Sequence, residues 1–177
     1  MGYSLCWVAV RGKTRDTVLD ELALTGTGEL EDIPESPVVG ARLAEGWYLV
    51  VSNEDMRFED EDLLARLSSN CEAVTCFVEE HVMFSAVYGW RAGQQQWSIV
   101  HESERSIEHL AASGELPAEF AAIRDRLAAE QQRAGGKDAE VDFMFAVPVE
   151  VAKALTGFSH DQDVDGAAFE VLTSSAV

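Results

Sequence analysis

Four histidines, three cysteines and a run of alternating aspartates are the residues of this chain that could do chemistry, and their spacing decides how much. His81, His101, His109 and His160 include no pair set four apart to turn two imidazoles to one helix face, and no cysteine stands at zinc-ligand spacing beside them. His101 is the exception worth following. It falls in an expected strand with Trp97, so an imidazole walled by tryptophans could serve as a general base or bind a ligand. The plainer alternative is a core histidine satisfied by a backbone carbonyl.

Asp161, Asp163, Asp165 and Gly166 reproduce the front half of a calcium loop, in which alternate carboxylates converge and glycine allows the sharp bend. The twelfth position is Leu172 where a bidentate glutamate belongs, and Glu170 falls two places early. A solvated acidic turn is therefore expected, and no residue is assigned as a metal ligand. Gly12, Lys13 and Thr14 lie between an expected strand and helix, the setting of a phosphate-binding loop. The glycine that such a loop needs five residues before Gly12 is Trp7, so no nest of backbone amides forms there. Cys6, Cys71 and Cys76 make an odd count that suits reduced, buried thiols. No G-x-S-x-G elbow and no cofactor motif is present, so neither a nucleophile nor a cofactor is expected.

Positioning these residues falls to an expected α+β fold. Residues 3–10 are apolar at nearly every position and read as a central strand covered on both faces. Thr14 caps a helix with Val18, Leu19 and Leu22 on one stripe, followed by a turn cluster at 25–28 and a polar stretch to Pro37. Residues 38–43 pair with 47–51. Residues 59–69 form the next helix, whose four leading acids suit the positive end of the helix dipole. Residues 72–79, 82–90 and 95–102 then make a meander. The order strand, helix, strand, strand, helix, strand suits a ferredoxin-like N-terminal half, extended by the antiparallel meander and covered by C-terminal helices.

A two-residue turn at Gly93 and Gln94 would set Trp90 opposite Trp97, Tyr88 opposite Ile99 and Ala86 opposite His101. Phe84, Tyr88, Trp90, Trp97, Ile99 and His101 would then share one face. Further on, 106–112 reads as a short helix, Pro117 opens a longer one, 134–140 is a linker candidate, and 141–147 alternates as a strand. Pro148 starts a helix that Gly157 ends, and 168–172 reads as an edge strand. The 177 residues suit one domain, with a subdivision at 1–133 and 141–177 as the variant.

Charge then narrows the partners. Thirty-two acidic residues against thirteen basic ones, a net charge of −19, repel phosphate backbones and anionic headgroups, so neither nucleic acid nor membrane is an expected partner. No apolar run reaches the length of a membrane span, residues 3–10 are too short for a secretory core, and Cys6 breaks the myristoylation pattern begun by Gly2. A cytoplasmic location follows as the expectation. In acidity and size alone the chain resembles small bacterial immunity proteins that neutralise basic toxins. The leading functional expectation is a non-enzymatic interaction protein that engages a protein partner, a basic one by charge, through Trp90, Trp97, Tyr88 and His101. The alternative is a small-molecule-binding domain or enzyme with a pocket near His101, Trp97 and Tyr88.

Overall fold

A computed structural model describes residues 2–162, 164 and 166–175. It is an α+β structure built on one nine-stranded sheet. The strands are β1 (Ser4–Arg11), β2 (Leu24–Glu31), β3 (Val38–Arg42), β4 (Trp47–Ser52), β5 (Glu72–Glu79), β6 (Phe84–Arg91), β7 (Gln94–Glu102), β8 (Ala111–Gly114) and β9 (Phe169–Ser174). The helices are α1 (Arg15–Glu21), α2 (Glu61–Leu67), α3 (Phe120–Arg133) and α4 (Ala146–Thr156). Strands run in the order β2-β9-β3-β4-β1-β5-β6-β7-β8, and every pairing is antiparallel.

β1 is apolar on both faces because it feeds two cores. Leu5, Trp7 and Ala9 face α3 and α4, while Cys6, Val8 and Val10 face α1 and α2. Each such valine or leucine removed from water favours folding by about 1.5–3 kcal/mol, so the strand pins both layers to one axis. Thr14 accepts the Thr17 amide and starts α1, and Asp60 accepts the amides of Asp62 and Leu63 and starts α2. Both helices drop their apolar residues, Val18 and Leu19 or Leu64 and Leu67, into the same core. The other face is filled by Phe120 and Leu127 of α3, by Val147, Val151 and Ala152 of α4, and by Phe158. Gly157 ends α4 in the left-handed conformation at φ 80°, its amide bonding to Lys153 O at 2.8 Å.

Several expectations need correction. The polar stretch after α1 is a strand, β2, and the C-terminal strand β9 is internal, lying between β2 and β3. β2 is polar because it is a sheet edge whose side chains largely meet water. Residues 106–112 do not form a helix. Ala111 and Ala112 join β8, where backbone pairing with β7 overrides alanine's helical preference. The alternation at 141–147 does not make a strand: Asp142 accepts the Phe145 amide at 3.0 Å and turns the chain into α4, which begins at Ala146. Pro148 lies in the first turn of that helix, where its missing N–H is harmless. The linker candidate is fastened by Gln131, whose amide bonds to Gly136 O and whose oxygen accepts the Phe143 amide, both at 2.8 Å.

The correction with most consequence is at the β6–β7 hairpin. Its two-residue turn is Ala92–Gly93, with φ 52° and 75°, so Arg91 pairs with Gln94. A bulge follows: Trp90 opposes Gln95 while Trp97 opposes Gly89. Tyr88 therefore faces Ser98, Ile99 faces Val87, and His101 faces Ser85. One residue of slip turns β7 over relative to β6. Trp90 joins the core under α1 and α2, whereas Trp97 and Ile99 join the core under α3 and α4.

Candidate functional site

The six residues expected on one face divide between two. His101, on the α3 and α4 side, is fully buried. Its Nδ1 lies 2.7 Å from the His109 carbonyl oxygen and its Nε2 lies 2.8 Å from Asp142 Oδ2. Both neighbours are acceptors, so one proton on Nδ1 and another between Nε2 and Oδ2 satisfy every group. The second oxygen of Asp142 is occupied by the Phe145 amide, and His109 Nδ1 accepts the Glu102 amide at 3.0 Å. With both nitrogens committed and no contact with solvent, His101 has no free lone pair to take a proton from a substrate. Ser85, its cross-strand neighbour, gives its hydroxyl to Phe145 O at 2.7 Å. The arrangement is a structural clamp joining β7, the 103–110 loop and the approach to α4.

Tyr88 and Trp90 belong to a different place. On the α1 and α2 side, α2 stops short of the outer strands and leaves a groove of about 250 Å³ between itself and the hairpin. Phe58, Phe77, Phe84, Tyr88 and Trp90 supply its aromatic walls, with the Phe77 and Tyr88 rings edge to face at 5.9 Å. Glu59 and Glu61 stand on the rim. Burial, and then the carboxylates of Glu102, Glu59 and Glu61, push the Tyr88 hydroxyl above its ordinary value. All three carboxylates thus act on one phenol, and no basic residue lines the groove among the described residues. The Trp90 indole N–H is buried without a hydrogen-bond partner among the described residues. A cation with an apolar stem suits such a place, since ring faces and carboxylates both attract positive charge.

Trp97 lines a second cleft, of about 440 Å³, at the end of the sheet on the α3 and α4 side. It lies across Gly89, where any Cβ would overlap the indole. The row Arg11, Glu72, Arg91 crosses this end, Glu72 bonding Arg11 at 2.7 Å and Arg91 at 2.8 Å. Arg11 and Arg91 hold the Glu72 carboxyl below the usual range against the opposing effect of burial.

The remaining candidates resolve as follows. Gly12 takes φ 104°, Lys13 bonds Glu21 at 2.7 Å, and Thr14 caps α1, so the phosphate-loop fragment is a strand-to-helix turn. Of the calcium-loop aspartates, Asp163 and Asp165 lie outside the described residues, and Asp161 accepts the Ser159 hydroxyl. Cys71 and Cys76 join opposite cores, and burial pushes the Cys6 thiol up to about 11. The His160 side chain is 4 % exposed, its Nδ1 has no partner among the described residues, and burial lowers its pKa. No helix among the described residues is long and apolar enough to cross a membrane.

Sequence reasoning missed Phe58, Phe77 and the contribution of Glu59 and Glu61. The acids drew notice only as helix-dipole partners, and no local pattern places α2 beside the β6–β7 hairpin. No protein-family model, no curated protein and no solved structure matches the chain.

Proposed function

We propose that this chain is a non-enzymatic interaction protein that binds a basic protein partner, in the manner of an immunity or inhibitor protein, by receiving a lysine or arginine side chain in the groove beside Tyr88 and Trp90. The observation that carries this reading is the conjunction, in one groove, of aromatic walls, the Glu59 and Glu61 carboxylates, and a Trp90 N–H without a partner among the described residues. The aliphatic stem of the side chain would lie along Phe77 and Phe84, its charge near Tyr88 and the glutamates, and a backbone carbonyl of the partner would take the Trp90 proton. The net charge of −19 would speed encounter with such a partner and repel acidic ones. Three buried cysteines suit a reducing, cytoplasmic setting. The ferredoxin-like description of β1-α1-β3-β4-α2-β5 belongs to the same reading. It is supported by the order β3-β4-β1-β5 and by both helices packing on one face, with β2, β9 and the outer strands as additions.

The test is a titration of the full chain, followed by the Tyr88 ring signals, with a lysine-rich peptide and with the same peptide acetylated on every lysine. The lysine form binds, more weakly as salt rises, and Tyr88→Ala weakens it about tenfold while leaving the net charge unchanged. Equal binding of the acetylated peptide, or indifference to Tyr88→Ala, would defeat the proposal.

A further inference from the structure

The groove beside Tyr88 differs in chemistry between its interior and its mouth. Phe77, Phe84 and Tyr88 stand on strands that pair on both sides, Phe77 with Cys6 and Ala86, Phe84 with Glu79 and Glu102, and Tyr88 with Thr75 and Ser98. Their backbone carbonyls lie in the plane of the sheet and are spent on its ladders, so none is turned into the groove. Phe58, Leu64 and the Trp90 ring complete the walls. Apart from the Tyr88 hydroxyl, the side-chain acceptors of the lining belong to Glu59, Glu61 and Gln95, all exposed and therefore at the mouth. Glu59 and Glu61 enter no ion pair among the described residues, and Arg57, the base beside Phe58 in sequence, is held by Asp55 at 2.8 Å.

Such a groove sorts cations by what they need from water. A primary ammonium carries three N–H donors, and moving among the rings strips them of water without returning acceptors. It stays at the mouth, where ring faces attract it least. A guanidinium carries five donors in a flat fork. The Phe77 and Tyr88 rings stand 78° apart, so they bracket a rounded group better than a planar one. A quaternary ammonium has no N–H, spreads its charge over its methyl groups and sets those methyls on ring faces, while Glu59 and Glu61 act on the charge from the mouth.

We propose that the groove selects a lysine side chain whose ammonium is trimethylated, its methyl groups against Tyr88 and the rings around it and its stem along Phe77 and Phe84. The inference rests on the reading of a basic protein partner given above and names the form of the side chain that is bound. A protein source rather than a free solute follows from the net charge of −19, which draws a chain bearing many cations more strongly than a single cation.

Three peptides of one basic sequence are titrated into the full chain and followed by the Tyr88 ring signals. They carry lysine, trimethyl-lysine, or a neutral analogue with a tert-butyl group in place of the trimethylammonium, and choline serves as the free quaternary ammonium. The trimethylated peptide binds roughly two- to thirtyfold more tightly than either other peptide, the range for one cation–ring contact, and more tightly than choline. Tyr88→Phe, which keeps the ring and removes the hydroxyl, holds that affinity within about twofold, whereas Tyr88→Leu abolishes the preference for the trimethylated form. A lysine peptide binding as tightly as the trimethylated one overturns the inference and leaves the wider reading standing. Equal binding of the neutral analogue or of choline, or loss of binding in Tyr88→Phe, overturns it as well. Failure of both charged peptides to bind defeats the inference and the wider reading together. The peptide comparisons use the unmodified chain, so they decide the matter even if a Tyr88 variant does not fold.

Discussion

At the scale of single residues, the His101–Asp142 pair shows how an apparently reactive side chain can be wholly spent on structure. The ring and the carboxylate are 0 % and 4 % exposed, and each of their hydrogen-bonding atoms has a partner. Asp142→Ala removes both carboxylate oxygens at once. The Phe145 amide then loses its acceptor, and His101 Nε2 is left in the core with no partner. The variant is destabilised by about 3–5 kcal/mol, the range for breaking one side of a buried pair, as measured by urea unfolding. A loss under about 1 kcal/mol would mean that water or the opposite tautomer satisfies the site.

At the scale of elements, the β6–β7 hairpin decides which residues can meet. The bulge seats the Trp97 indole on Gly89, so Gly89→Ala forces ring and strand apart and costs about 2–3 kcal/mol by overpacking. Pairing it with Trp97→Val relieves the overlap, and a double variant no less stable than Trp97→Val alone is the expected result in the same urea assay. Local chemistry made much of the fold legible: the unbroken apolar run of β1, the Thr14 cap, the acids before α2 and Gly157 all act within one turn or one strand. β2 was not legible, because its partner β9 is remote in sequence and edge strands need no apolar face. The hairpin was half legible. Strand positions follow from alternation, but a turn displaced by one residue and a bulge together set the faces, and alternation alone carries no signal for either. For the same reason only Phe84, Tyr88 and Trp90 of the six residues expected on one face meet in this groove, while Phe58 and Phe77 reach it through the packing of separate elements.

At the scale of the whole molecule, electrostatics and topology each leave a mark. With 32 acids against 13 bases, repulsion among like charges outweighs the exposed ion pairs, such as Arg91–Glu72, that salt also screens. Raising ionic strength from about 0.01 M to about 0.15 M, which shortens the screening length from roughly 30 Å to roughly 8 Å, should therefore raise the melting temperature rather than lower it. A fall in melting temperature would show that paired charges dominate. The sheet also closes late. Thr25 at the head of β2 meets Ser175 beyond β9 across 150 residues of chain, while β1, β3, β4 and β5 need nothing past Glu79 to pair with one another. At translation rates of about 5–20 residues per second, β2 waits roughly seven to thirty seconds on the ribosome for the strand that will flank it. Its scarcity of apolar side chains then has a second use: a lone ribbon of threonine, glycine and glutamate offers a neighbouring nascent chain little to adhere to.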